Sequence, residues 1–256
     1  MALADVDPAY SGGFAGADEV AEELEQLRER MTELQGRLYA EHEQALLIVL
    51  QAIDAGGKDG AIRRVFSGMN PQGCEVSSFK RPTEEELDHD FLWRYHQQVP
   101  GKGMVGVFNR SHYEDVLVVR VKKLVPKRVW RRRYGQINAW EELLAQSGVK
   151  VVKFYLHISK AEQKERLQKR LQDPQKRWKF DPLDLEERKR WDDYQAAFQD
   201  ALSQCSTRHA PWYVVPANHK WFRDLVLARA IVATLEQMDP QYPEPAEGLD
   251  GLVIAD

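Results

Sequence analysis

The tightest constraint in this chain lies where an apolar run meets a glycine turn. Ala45-Leu-Leu-Ile-Val-Leu50 leads within a few residues into Asp54-Ala-Gly-Gly-Lys-Asp-Gly60, and then into a helical stretch from Ala61 to about Gly68. A strand with no polar alternation must be covered on both faces, which puts it in the middle of a parallel sheet. A glycine-rich turn between such a strand and a helix arrays backbone N–H groups as a concave nest. The helix N-terminus adds its positive end and Lys58 a mobile charge, the order of parts that cradles phosphates. Set against GxxxxGK[ST], Ala52 stands at the first glycine and Asp59 at the hydroxyl that would bind Mg²⁺. Asp54, inside the loop, is the carboxylate placed to take over that ion or to orient an acceptor oxygen. The plain alternative is a glycine turn with an incidental lysine.

Further strands are expected over 75–79, 105–109, 151–158 and 213–216, with helical stretches between them. The alternation predicts an α/β fold with a central parallel sheet, helices on both faces and ligands beyond the carboxyl ends of the strands. Residues 1–43 read as a tail and an amphipathic N-terminal helix, 44–238 as the main domain, about 160–192 as a helical arginine-rich lid, and 239–256 as a proline-rich acidic tail. The helix, from Asp18 to about His42, carries Val20, Leu24, Leu27, Met31, Leu34 and Leu38 as one stripe. That stripe packs on its own domain or on a second subunit, and the spacing does not choose. Strand-end residues are the candidates for chemistry. Lys80 and Arg81 follow the second strand, where they suit a phosphate or a nucleotide acceptor. Asn109-Arg-Ser-His-Tyr-Glu-Asp115 follows the third, with Arg110 able to face a phosphate and Glu114 or Asp115 a metal beside Asp54. Glu114 and Asp115 also read as acids that merely suit a helix's first turn. The histidines show no metal-ligand spacing.

Composition narrows the partner. With 43% hydrophobic residues, the 256-residue chain has a core to bury, and no run approaches the roughly 20 apolar residues of a membrane span. Its start lacks the basic and apolar regions of a secretory signal, and Cys74 and Cys205 stand 131 positions apart, so a reducing cytoplasm is expected. The net charge of −4 conceals a belt over 120–190 with 21 Lys and Arg against 9 Asp and Glu, a local +12 that leaves −16 on the other 185 residues. Such a belt attracts a polyanion. It lacks the regularly interleaved aromatics of a base-stacking surface and matches no nucleic-acid signature, which argues against nucleic acid and in favour of phosphate chains and nucleotides.

Taken with Asn70-Pro-Gln-Gly73, Ser78-Phe-Lys-Arg-Pro82, Phe108-Asn-Arg-Ser-His-Tyr-Glu114, Asp173-Pro-Gln-Lys-Arg-Trp-Lys-Phe180 and Pro211-Trp-Tyr-Val-Val-Pro-Ala217, these segments make residues 41–235 resemble a family-2 polyphosphate kinase. The resemblance implies a P-loop kinase-like three-layer sandwich and Mg²⁺-dependent transfer of phosphoryl groups, Mn²⁺ being an alternative ion. The substrates it implies are inorganic polyphosphate and the adenine nucleotides AMP, ADP and ATP, and the assembly a homo-oligomer. Asn109, where many members have Asp, resembles the subgroup that phosphorylates AMP as well as ADP, and it moves the second metal role to Asp115. Asp54, Lys58, Arg110 and Asp115 are then catalytic. Ala55, Gly56, Gly57, Asp59 and Gly60 of the loop bind phosphate, with Asn109, Ser111, Tyr113 and Glu114 beside them. Arg166, Arg170, Lys176 and Arg177 would close from the lid. Two rivals stand beside this reading: an ATP-dependent nucleoside monophosphate kinase, and a non-catalytic polyanion- or RNA-binding protein on the same fold.

Overall fold

The structure, a computed structural model, describes residues 2–247. In chain order the elements are α1 (Ala21–Glu41), β1 (Ala45–Gln51), α2 (Lys58–Val65), β2 (Cys74–Ser78), α3 (Glu84–Asp88), α4 (Trp93–His96), β3 (Val105–Asn109) and α5 (Val118–Val121). They continue with α6 (Lys127–Gln146), β4 (Val149–His157), α7 (Lys160–Gln172), α8 (Leu183–Lys189), α9 (Trp191–Cys205), β5 (Trp212–Pro216) and α10 (Lys220–Met238). The strands form one parallel sheet in the order β2-β3-β1-β4-β5.

Every residue of β1 is buried, and the period of two divides them between two cores. Leu46, Ile48 and Leu50 pack with Met31, Leu34 and Leu38 of α1, Ala61 and Val65 of α2, and Leu227, Ile231 and Leu235 of α10. Ala45, Leu47 and Val49 face Ile137 and Leu144 of α6 and Phe198 and Ala201 of α9. Three layers result, and the continuous apolar run is the signature of a strand serving both cores. The stripe on α1 is covered by α10 of the same chain, with Arg30–Glu236 and Arg229–Glu23 ion pairs on the rim. It therefore says nothing of a second subunit. A 3₁₀ turn, Ala17–Val20, precedes α1, so the regular helix starts at Ala21 and not at Asp18. Likewise α2 begins at Lys58, earlier than the expected Ala61, because Gly57 turns the chain in the left-handed region directly before it. Residues 160–192 contain α7, a 3₁₀ turn Arg177–Lys179, α8 and the start of α9. Of the 239–256 tail, 248–256 lie outside the described residues, as does Met1. Among the described residues no helix is long and apolar enough to cross a membrane.

One polar residue interrupts the interior of β4. Lys153 is fully buried, and all three of its protons are placed: on Glu141 Oε2 at 2.5 Å, Tyr113 Oη at 2.7 Å and the Cys205 carbonyl at 2.7 Å. Glu141 Oε1 takes the Tyr113 hydroxyl at 2.9 Å and lies 3.0 Å from His112 Nε2. Burial alone would raise the Glu141 carboxyl, but Lys153 and His112 hold it below the usual carboxylate range. The network ties the turn after β3 to α6, to β4 and to the end of α9. Removing one partner strands a buried charge, so Glu141→Leu should cost about 3–5 kcal/mol in urea unfolding. Adding Lys153→Met to that variant should recover much of the loss.

Candidate active site

The loop after β1 is shaped by what holds its carbonyls. Gln163 Nε2 donates to Asp54 O at 2.9 Å, and Arg166 Nη1 to Ala55 O at 3.1 Å and Gly56 O at 3.0 Å. Arg223 Nη1 donates to Gly57 O at 3.2 Å. Neighbouring peptide N–H and C=O groups point opposite ways, so carbonyls pinned on one side aim the amides at the other, which is the anion nest. Ala55 (φ +59°) and Gly57 (φ +99°) supply the left-handed kinks. Gly56 is sterically required, since a Cβ there would stand 2.4 Å from the Ala52 Cβ and 2.8 Å from Ile53 O. Ala52 at the first glycine position is accommodated by that bare backbone. Lys58 opens α2 and folds back to donate to Ala52 O at 3.0 Å. Burial, with Arg110 nearby, pulls its ammonium down to about 8, against Asp54, Glu114 and Asp59.

Arg110 follows β3 in a left-handed conformation, φ +66°. Its guanidinium lies between Asp54 Oδ1 at 3.0 Å and Glu114 Oε2 at 3.4 Å, and these two carboxylates raise its pKa further above the usual range despite burial. Beneath it, buried Ser111 caps the 3₁₀ turn His112–Asp115 by accepting from Tyr113 N at 3.3 Å, and accepts from Gln51 Nε2 at 3.1 Å. The last residue of β1 is thereby tied to the turn that carries Arg110. Asn109 Nδ2 donates to Asp59 Oδ1 at 3.0 Å, joining the second strand end to α2.

Asp54, Lys58, Arg110 and Glu114 thus converge, with Asn109 and Asp59 adjacent. Four expectations change. Asp115 is turned away, to Tyr95 Oη at 3.2 Å and Arg133 Nη1 at 2.8 Å, and burial pushes its carboxyl up to about 6 against the pull of Arg133. The segment forms a 3₁₀ turn in place of an α-helix, and this puts Glu114 on the Arg110 side. Tyr113 is fully buried in the Lys153 network and Ser111 is fully buried as a cap, so both support the site from below. Arg166 is occupied by carbonyls, including Ala217 O at 2.5 Å and Asn218 O at 3.1 Å, and by Glu162 at 2.6 Å. It shapes the loop from behind, and it also forms part of the wall of the open pocket beside Gly57. The remaining lid cations are placed by their neighbours: Arg170 on Asp184 at 3.3 Å, Lys176 on Asp173, Arg177 on Leu171 O at 2.9 Å. Lys80 and Arg81 are exposed beyond β2.

Arg63, Arg64, Lys220 and Arg223 escaped the sequence reading. With Lys169, Arg170 and Lys176 they line an open pocket of about 560 Å³ beside Gly57 and Gly60, with Asp173 its one carboxylate. Burial and then the charges of Arg166, Arg223 and Arg64 lower the Lys220 ammonium, the mark of cations crowded together. Lys220 and Arg223 follow the fifth strand, so the strand-end rule applied there would have found them. Among the described residues no three His, Cys, Asp or Glu side chains form a metal cluster. Asp54 and Glu114, both reaching one guanidinium, do fit a hard divalent ion that takes one or two carboxylates and draws its other ligands from water and substrate phosphates.

The family model for Polyphosphate kinase 2 matches residues 15–243. An AMP/ADP-polyphosphate phosphotransferase of Meiothermus ruber is 53% identical over 249 residues, covering 97% of this chain and 93% of the relative. An ADP-polyphosphate phosphotransferase of Rhodopseudomonas palustris is 45% identical over 251 residues, covering 93% and 86%. The crystal structure of polyphosphate kinase 2 from Arthrobacter aurescens TC1 superposes with a TM-score of 0.93 at 44% identity, covering 96% of this chain and 88% of that one.

The loop geometry sets two outcomes. Gly56→Ala should lower kcat/KM for phosphoryl transfer on the order of a hundredfold, because the loop must shift to admit the methyl group. With Lys58 held at about 8, kcat/KM should fall as pH rises through that value. Stability runs the other way: between about 8 and the ordinary 10.5 the unfolded chain keeps a proton that the folded one releases, so this group's share of stability increases across that window. A pH profile of both quantities, for the wild type and Lys58→Met, checks the two signs.

Proposed function

This chain belongs to the polyphosphate kinase 2 family, and from that premise we propose that it moves the terminal phosphoryl group of inorganic polyphosphate onto AMP and ADP, with a divalent metal, Mg²⁺ or Mn²⁺. The observation that carries the reading is the pocket behind the loop, where eight cationic side chains meet one carboxylate. No aromatic side chain lines it among the described residues, so it suits an all-phosphate chain better than a nucleotide base. The donor chain lies in that pocket with its terminal phosphoryl over the amides of residues 55–60. Lys58 and Arg110 then meet the charge on the transferring group, since phosphoryl transfer depends on positioning and electrostatic stabilisation more than on covalent chemistry. A transferring phosphoryl offers Arg110 the same charge that Asp54 and Glu114 supply. Asp54 and Glu114 would hold the metal, which supplies further neutralisation of phosphate oxygens when bound. The role expected of Asp115 passes to Glu114. Lys80 and Arg81, with Asn109, would meet an incoming nucleotide phosphate, and Arg170 and Lys176 line the pocket that the chain would occupy, with Arg177 close by in sequence. The reading places the enzyme in the cytoplasm as a homo-oligomer.

The purified chain, given polyphosphate as sole donor and Mg²⁺, should convert AMP through ADP to ATP, with an apparent polyphosphate affinity that falls steeply with salt. Asp54→Asn should abolish turnover while leaving polyphosphate binding largely intact. ADP use without AMP use would keep the reaction and remove AMP from its acceptors. AMP phosphorylation only with ATP as donor would show that the donor is wrongly assigned.

A further inference from the structure

The family model begins at residue 15, yet residues 3–14 are firmly seated on the carboxyl edge of the sheet. Leu3 is buried in the α6–α9 core, and its amide donates to Gln199 Oε1 at 2.5 Å. Val6 and Asp7 reach His157 at the end of β4, whose imidazole burial lowers while both neighbours pull it up. Tyr10 meets Phe222 edge-on with centroids 5.7 Å apart, and Phe14 packs with Phe222 and Leu225. Between these anchors the Pro8 carbonyl accepts from Asn218 N at 3.0 Å.

Asn218 is the junction. Its Oδ1 accepts from Ser159 N at 2.9 Å, and Ser159 caps α7 by accepting from Glu162 N at 3.1 Å. Its carbonyl accepts from Arg166 Nη2 at 3.1 Å, and the Nη1 of the same guanidinium grips the Ala55 and Gly56 carbonyls that form the back of the nest. A hydrogen-bonded path therefore runs from the Pro8 carbonyl through Asn218 and Arg166 to the phosphate loop, with a branch to the root of the lid.

We infer that the N-terminal strap, residues 3–14, positions the phosphate loop for the polyphosphate donor, with Asn218 and Arg166 as the positioning residues. Asn218 is fixed from three sides, and the strap supplies the side that neither the lid nor the sheet provides. With the strap lifted, Asn218 loses its amide partner, Arg166 loses a rigid acceptor, and the loop carbonyls are held less firmly. The cost then falls on the donor, which lies on the loop, and not on the nucleotide, which comes from the β2 and β3 side. The inference rests on the functional reading above for the identity of the donor, and on geometry alone for the coupling.

The full chain is used in two variants. Leu3→Glu with Tyr10→Ala removes the buried anchor in the α6–α9 core and the ring contact on Phe222. Gly12→Val acts on the strap without altering Leu3 or Tyr10: residue 12 is in the left-handed region (φ +67°), and even a Cβ there would lie 2.9 Å from Cε2 of the buried Phe222, so the strap must move away from that ring. Hydrogen exchange should quicken at the amide of Asn218 and at residues 54–60 in both variants. The KM for polyphosphate should rise about tenfold, the scale of a small misplacement at a reacting centre, while the KM for AMP stays at the wild-type value. Unchanged exchange at residues 54–60 once the Asn218 amide exchanges fast would overturn the inference, as would an Asn218 amide that stays protected in both variants. Loss of kcat and thermal stability with no selective rise in the polyphosphate KM would reduce the strap to a structural element. A wild type that makes no ATP from polyphosphate would defeat the functional reading only, because the exchange comparison needs no turnover.

Discussion

The guanidinium of Arg166 is the contact on which the site's geometry depends. A phosphate nest needs its amides aimed inward, and short loops do not hold such a conformation unaided, because φ above zero is unfavourable at Ala55 and the loop carbonyls need partners. Arg166 provides partners for the carbonyls of Ala55, Gly56, Ala217 and Asn218 at once, so the first and fifth strand ends are fixed relative to one another by one side chain of α7. Arginine suits this position because its fork of donors is planar and rigid, where a lysine would offer a point charge. α7 is thereby part of the loop's scaffold.

A second constraint is electrostatic and acts in two opposed zones. On the strand-end side, Arg110 stands between Asp54 and Glu114, and the region is balanced. On the α2–α10 side, Arg223 and Arg64 share Asp224, while Lys220 is left among cations. The imbalance is a cost to the folded chain that a polyanion in this pocket would offset, an arrangement found where function overrides stability.

Much of the fold was legible because its signals are local. Residues 45–50 must lie between two layers, and β1, β3, β4 and β5 follow from apolar runs, whereas the edge strand β2, Cys74–Ser78, is mostly polar. The starts of α1 and α2 were displaced by a 3₁₀ turn and a left-handed glycine, which depend on dihedral angles and not on periodicity. That Glu114 and not Asp115 meets Arg110 has the same origin, since one residue of phase in a 3₁₀ turn decides which acid faces the guanidinium. Tyr113, Arg166 and Lys153 have the residue types of ligand contacts but are consumed by neighbours remote in sequence. The pocket's cations come from α2, α7, the turn after α7 and α10, and no spacing rule links positions so far apart.

The depressed Lys58 ammonium also has a calorimetric consequence. A buried lysine near 8 is partly neutral at mildly alkaline pH, and a phosphate chain lying on the loop, as proposed, would stabilise its charged form. Donor binding there would therefore take up a fraction of a proton from solution. The heat of that uptake is supplied by the buffer, so the apparent enthalpy of polyphosphate binding will track the ionisation enthalpy of whichever buffer is present, and the affinity will carry a pH slope equal to the proton fraction absorbed.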